Sequence, residues 1–474
     1  LVKTAYLSRN YLNREGRFAH SAARGVLLSH LVGICFFLTI LLSPAFDKQV
    51  LFTPILQWPI RALGLWLIVD RFGKQKSNKV SPWDWAHICF VAAYGCALIF
   101  AELYMTRDTG LTNYIQWANQ TLGAYIYFLV LRECLTRRGF RADIVIRWVL
   151  ATLVIACLIG ICQAKDIGGL RYQIDSFYHQ AQAEMYMEGP SMYWQARAPE
   201  THSNSLAIVL VCGLPLLMAL NDFRKLRWFD WLSGALMITT IFMTYSRIGI
   251  VSLAAVGIGM IVVLLVRKEY YKAGVGIFVF TGMLVAFVGI VLAFDIQRFK
   301  VLLSNPNPIA ANADETAGWR LRESSLGRAM ALAEQYPFMG INAASGANNQ
   351  QAVFVRNSYT FSGLLLNVYA FSFVSYGLVG VAYISALFWL ILKNAGSMRS
   401  KQAFPASMFV LGLALAAAGI AENVLFFDQA MIITNIMMAF CVMKVARAQE
   451  DPRSSPQFQP AELPAPAPRI AKAL

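Results

Sequence analysis

From Phe229 to Val266 the chain runs almost unbroken through apolar residues, and a single arginine, Arg247, stands in the middle of that run. At ~1.5 Å per residue the stretch is long enough for two crossings of a ~30 Å hydrocarbon layer. No polar loop divides it, so two helices are expected to meet in a tight turn at Ser246-Arg247. A guanidinium at that depth costs roughly 2.5–3.5 kcal/mol on insertion scales unless water or an anion receives it. Snorkelling to the interface is one remedy. An anionic ligand is the other, and it is the reading favoured for Arg247.

Similar apolar runs recur along the chain. Of its 474 residues 57% are hydrophobic and only 14% are charged. The expected fold class is therefore all-α, a polytopic transmembrane helical bundle. Strict polar/apolar alternation is missing, which excludes a transmembrane barrel. Spans are expected near 25–42, 50–70, 83–103, 114–131, 144–163, 204–220, 229–245, 248–266, 273–294, 377–393, 403–421 and 430–446. That makes about twelve crossings. The first run has a signal-like basic lead, but no small-residue cleavage site follows and it reads as a span. Residues 358–376, ahead of Gly377 and Gly380, read as a bent or amphipathic helix at the membrane surface.

The formal net charge of +15 would suggest nucleic acid in a soluble protein. Here it follows from loop placement. Arg9, Arg14, Arg17 and Arg24, then Arg71, Lys74, Lys76 and Lys79, then Arg132, Arg137, Arg138 and Arg141 mark alternate short loops. Arg224, Lys225 and Arg227, then Arg267, Lys268 and Lys272, then Lys393, Arg399 and Lys401 continue the series. Basic loops stay in the cytoplasm, so both termini are expected there, in a bacterial inner membrane.

The organisation is then a cytoplasmic segment (1–24), N-terminal spans (25–163) and a periplasmic loop (164–203). Central spans with the Ser246-Arg247 turn follow (204–294), then a large periplasmic loop with two amphipathic stretches (295–376). C-terminal spans (377–446) and a disordered Pro/Ala-rich cytoplasmic tail (447–474) complete it.

Cofactor chemistry finds no support. Eight cysteines lie in or beside apolar runs without a CxxC pair, which argues against a zinc site or a disulfide framework. No P-loop, GxGxxG or Asp-x-Asp motif occurs. No cofactor, metal or nucleic-acid partner is expected.

The face opposite the basic loops still carries Arg197, Arg247, Arg298, Lys300, Arg320, Arg322, Arg328 and Arg356. In long loops Arg298, Lys300, Arg328 and Arg356 read as solvated charges. Arg197 leads into a helix start at Ser203-Asn204, where free N–H groups also suit an anion, although ordinary capping explains the same residues. Residues 318–342 read as an amphipathic helix ending at Pro337, bearing Arg322 and Glu323, with interfacial snorkelling as the plainer explanation. A guanidinium fork makes two parallel hydrogen bonds to a phosphate and stays charged. General-base candidates are Glu200, Asp314, Glu315, Glu323, Glu422, Asp428 and His202.

Three motifs occur in order: Asn204 with Leu214-Pro215-Leu216, the turn Thr244-Tyr245-Ser246-Arg247-Ile248-Gly249, and Arg322 through Pro337-Phe338-Met339-Gly340, closed by Asn367 and Tyr376 to Gly380. In this order and topology the chain resembles the superfamily of O-antigen polymerases and O-antigen ligases over roughly residues 195–395. The resemblance implies a metal-independent glycosyltransferase whose donor is an oligosaccharide on undecaprenyl diphosphate, working at the periplasmic face. It implies diphosphate binding by Arg247 and Arg322, and also by Arg197. Arg320 is a further diphosphate candidate; Glu323 and, as a separate hypothesis, His202 join Arg247 and Arg322 as catalytic candidates. Asn204, Tyr245, Asn367 and Glu422 are candidate pocket residues.

The family pattern often has histidine before the asparagine of its last motif, and here that position is Leu366. The ligase branch relies on that histidine, which favours a polymerase joining repeat units. A ligase moving glycan to lipid A core or protein, and a lipid-linked sugar transporter or flippase, are the alternatives. Partners implied are the lipid-linked oligosaccharide, the bilayer, a chain-length regulator and export proteins.

Overall fold

The structure is a computed structural model that describes residues 23–43, 49–50, 53–73, 80–104, 123, 125–137, 139–178, 196–200, 203–220, 226–293, 334, 336–338, 340, 368–393, 403–419 and 428–450. Apart from an antiparallel pair of two-residue strands, β1 (Gln49–Val50) and β2 (Thr53–Pro54), its regular elements are helical. The first is α1 (Ala23–Leu42), which closes in a π-helical turn, Leu38–Leu42. Then come α2 (Trp58–Gly73), α3 (Pro82–Tyr104), α4 (Tyr125–Leu135), α5 (Ala142–Lys165) and the short α6 (Leu170–Phe177). The series continues with α7 (Ser203–Leu220), α8 (Trp228–Met243), α9 (Arg247–Val266) and α10 (Tyr270–Ala293). It finishes with α11 (Val368–Lys393), α12 (Ala403–Gly419) and α13 (Asp428–Glu450).

Among the described residues six helices, α1, α3, α5, α7, the Ile248–Val266 part of α9, and α11, are long and apolar enough to cross a membrane. This is a multi-pass helical membrane protein.

The order of burial follows from side-chain pattern. Helix α7 is apolar all round and lies at the centre, touched by α5, α8, α9, α12 and α13. Its apolar stretch is 83% buried, against 28% for Ile248–Val266 in α9. An all-round apolar helix demands a protein or lipid partner on every face. In lipid, close packing rather than hydrophobic transfer decides which. Gly249 lets α9 approach α7 so closely that an added Cβ would meet the Ala207 Cβ at 2.6 Å.

Helix starts obey local chemistry. Ser81 precedes Pro82, and Asp84 accepts from the Ser81 amide (2.8 Å) while the Asp84 amide donates to the Ser81 hydroxyl (3.2 Å). This reciprocal box satisfies two end donors, and proline suits the first helical position. Asp230 makes one half of such a box for α8, accepting from the Arg227 amide at 2.6 Å, while the Arg227 side chain has no acceptor to complete it.

The structure keeps one expected break and moves one expected boundary. Residues 368–376 form a helical stretch ahead of Gly377, and α11 runs from Val368 to Lys393 with Gly377 non-helical inside it. The break survives inside it: Gly377 has φ +63° and ψ −155°, which only glycine adopts without strain. Helix α2 begins at Trp58, after the strand pair and the 3-10 turn Ile55–Gln57, rather than at residue 50.

Candidate functional site

The turn between α8 and α9 is built by three consecutive side chains. Thr244 donates its hydroxyl to the Ile241 carbonyl (2.6 Å) and accepts from the Ser246 amide (3.2 Å). Tyr245 takes a left-handed φ of +50°, which for a non-glycine residue costs roughly 1–2 kcal/mol. Ser246 then caps α9, accepting from the Gly249 amide at 3.0 Å. Arg247 is the first residue of α9, and its side chain lies outside the described part of the structure.

The same turn reaches the start of α7. The Ser246 hydroxyl donates to Asn204 Oδ1 at 2.7 Å. So Asn204 is not merely a helix-start residue; it ties two of the three sequence motifs together. Beside them runs the segment 196–200. The Ala196 amide donates to the Met243 carbonyl (3.1 Å), at the end of α8. The Arg197 and Ala198 amides both donate to Gln163 Oε1, at 2.7 and 2.9 Å. Arg197 is 7% exposed and Glu200 is 5% exposed, so this stretch is packed rather than solvated.

Helix α5 ends at Lys165 in a left-handed turn through Asp166, Gly168 and Gly169, and α6 packs back against it. This helix carries Arg171 and Asp175, paired at 3.4 Å, while Asp175 accepts from Gln163 Nε2. Burial pulls Arg171 below the usual guanidinium range; Asp175 opposes this, and the like charge of Arg197 adds to the fall. Tyr178, just after α6, is pushed up to about 12 by burial and by the Glu200 carboxylate. Two guanidinium groups, Arg171 and Arg197, thus feel each other in a poorly solvated place. Neighbouring guanidinium groups suit an anion carrying more than one charge, here beside the Asp166 and Asp175 carboxylates.

The third motif docks elsewhere on the bundle. The Leu378 amide, released by the break in α11, donates to the Pro337 carbonyl at 2.7 Å. Gly340, at φ +67°, lies so close that a Cβ would meet the Tyr376 amide nitrogen at 2.5 Å. The Pro337–Gly340 turn and the Tyr376–Gly380 segment therefore form one unit. It is walled by Phe90 and Tyr94 of α3, with Tyr376 edge-on to both.

Of the residues singled out in the sequence, Arg197, Asn204, Tyr245 and the start of α9 at Arg247 come to one end of the bundle. His202, Arg320, Arg322, Glu323, Asn367 and Glu422 lie outside the described residues. Sequence reasoning missed Gln163, Arg171, Asp175 and Tyr178. The i,i+4 spacing of Arg171 and Asp175 was an available signal for a helix in the first loop. Nothing local marked Gln163. All eight cysteines are free thiols.

A helical membrane protein with an arginine-bearing turn tied to a buried arginine loop is the class defined so far. Residues 232–385, roughly a third of the chain, match the family model described as O-Antigen ligase. That stretch includes the Thr244–Gly249 turn, the Pro337–Gly340 turn and the break in α11. The match bears out the resemblance to the O-antigen polymerase and ligase superfamily, and supports a glycosyltransferase-like membrane enzyme. No curated protein matches the chain.

Proposed function

We propose that this protein is an inner-membrane polysaccharide polymerase. It joins undecaprenyl-diphosphate-linked oligosaccharide repeat units at the periplasmic face without metal or nucleotide sugar. The observation that carries the reading is that Asn204 ties to the Ser246 cap while the Ala196 amide ties the Arg197 segment to the adjacent Met243 carbonyl, which gathers separate cation-bearing motifs at one end of the bundle.

In this reading Arg197 and Arg247 grip the diphosphate of the donor, with Arg320 and Arg322 brought over it from the second long loop. The hydroxyl of an acceptor unit attacks the anomeric carbon. The bond from that carbon to the phosphate oxygen breaks, with inversion, and undecaprenyl diphosphate leaves as the anion. Charge grows on the leaving oxygen, so cations held there in advance lower the barrier. The hydroxyl proton passes to a base, for which His202 and Glu323 are the candidates. Leu366 in place of the expected histidine favours polymerisation over ligation. Both termini face the cytoplasm, about twelve spans cross the membrane, and a chain-length regulator and export proteins act with it.

The test is reconstitution. Purified protein in lipid nanodiscs, given lipid-linked repeat units, is expected to yield a ladder of longer lipid-linked products. Transfer only onto a lipid A core or protein acceptor would make it a ligase. Units moved across the bilayer with no new glycosidic bond would make it a flippase.

A further inference from the structure

Gln163 takes no part in the chemistry proposed above, yet both ends of its side-chain amide are engaged. It lies at the end of α5, 1% exposed. Its carbonyl oxygen accepts from two consecutive main-chain amides, Arg197 and Ala198, and so fills both of its lone-pair sites. Its amide nitrogen donates to Asp175 of α6. These partners leave one orientation open. A carboxylate only accepts and main-chain amides only donate, so the glutamine must turn its nitrogen to Asp175 and its oxygen to the loop. With the Ala196 amide held by the Met243 carbonyl, three successive amides of the loop are fixed between α5 and the end of α8.

We infer that Gln163 is a positioning residue: it clips the Arg197 main chain to α5, and Asp175 sets the sense of the clip. The inference rests on the reading that Arg197 holds the donor's diphosphate. Gln163 touches no reacting atom in that reading; it decides where the Arg197 guanidinium starts from. No other uncharged side chain reaches from this helix end, accepts twice and donates once. A shorter amide would leave the contacts open, and a hydrocarbon would orphan two buried amides.

The arrangement has a test with a built-in rescue. Gln163→Glu places two carboxylates against each other. Adding Asp175→Asn restores every hydrogen bond with the donor and acceptor exchanged. The amide introduced on α6 can donate to the carboxylate introduced on α5 and still accept from Arg171, and the formal charge is unchanged. Three variants, Gln163→Leu, Gln163→Glu and Gln163→Glu/Asp175→Asn, are made in the full chain and checked for monodisperse behaviour in detergent. Hydrogen exchange over residues 196–200 reads the clip itself, and chain growth from lipid-linked repeat units in nanodiscs reads its use.

Gln163→Leu is expected to lose protection at residues 196–200, and Gln163→Glu to lose part of it, because its carboxylate still accepts from both amides but is repelled by Asp175. Growth at subsaturating donor should fall about tenfold or more, the size set by an unpaired buried amide, with the saturating rate less affected. The double variant should regain protection and come within about threefold of native growth. Unchanged protection in Gln163→Leu overturns the clip. So does a double variant no better than Gln163→Glu. Protection lost with native growth, in a protein where Arg197→Ala abolishes growth, overturns the positioning role. Native growth in Arg197→Ala instead overturns the donor reading, and exchange alone then decides the clip.

Discussion

The bundle has polar side chains buried at both ends of α5, and the two ends are organised on opposite plans. At the Ala142 end four arginines lie against carboxylates. Arg132 meets Asp84 at 2.5 Å, Arg137 meets Asp70 at 2.7 Å, and Arg141 and Arg147 share Asp143 at 2.9 Å each. Asp84 also accepts from Ser81 and from the Tyr125 hydroxyl, against which His87 stacks. Trp83 next to it donates to Asn435 of α13 at 3.0 Å. That cluster is closed: it joins α3, α4 and α13 and leaves its central carboxylate saturated. At the Lys165 end, the Arg171–Asp175 contact is a looser 3.4 Å, and Arg197 adds like charge rather than relief. A saturated ion pair fixes helices against one another; two guanidinium groups set side by side, with Asp166 and Asp175 near one of them, form a more open arrangement that an anion can enter. The difference teaches that burial of charge alone does not mark a site. The balance of charge around it does.

The largest expected effect breaks the first plan. Asp84→Ala leaves Arg132 buried without its carboxylate, which should cost about 3–5 kcal/mol and collapse the yield of folded protein. Thermal unfolding in detergent checks it; a fall under about 1 kcal/mol would mean the cluster is not the lock described. Arg247→Lys probes the second plan. Charge is retained and the bidentate fork lost, so chain growth should drop about tenfold or more while unfolding is unchanged. Near-native polymer from that variant would remove Arg247 from donor binding.

A smaller effect is expected at the docked turn. Gly340→Ala forces a Cβ against the Tyr376 amide at a left-handed φ, so the Pro337–Gly340 turn should part from α11. A loss of about 1–2 kcal/mol is expected, with slower growth because Arg322 lies on the chain leading into this turn. Asn204→Ala removes the acceptor for Ser246 and should cost about 1 kcal/mol. Unfolding curves for both variants, read beside growth assays, separate the two contributions.

The smallest effect is on pH. The Tyr178 pKa is raised to about 12 from its ordinary value near 10. The folded state therefore favours the protonated phenol. Its contribution is fully present below pH ~10 and is lost as pH rises through about 12. Tyr178→Phe should flatten that alkaline fall, and an unaltered fall would place Tyr178 in solvent.

Much of this was legible in the sequence because membrane helices carry their own signal. Length and apolarity mark α3, α5, α7 and α11 to within a few residues. The Ser246-Arg247 turn followed from a run too long for one crossing, and Thr-Tyr-Ser supplied its caps. The break at Gly377 is legible too, and the structure keeps it, with the freed Leu378 amide donating to the Pro337 carbonyl. Gln163 was illegible because a glutamine near a helix end carries no pattern of its own, and the i,i+4 spacing of Arg171 and Asp175 marks a helix but not its partner on α5.

Sequence alone determined that this chain enters a membrane as a set of helices, and where its isolated arginine turns back, since hydrocarbon tolerates neither an open backbone nor an idle charge. Only the tertiary structure decided that Asn204 meets Ser246, that Gln163 holds the Arg197 main chain, and that Arg132 and Tyr125 converge on Asp84. Those pairings join positions 34 to 48 residues apart in the chain. Hydrogen bonds of that reach depend on which helices pack together, which no local pattern encodes.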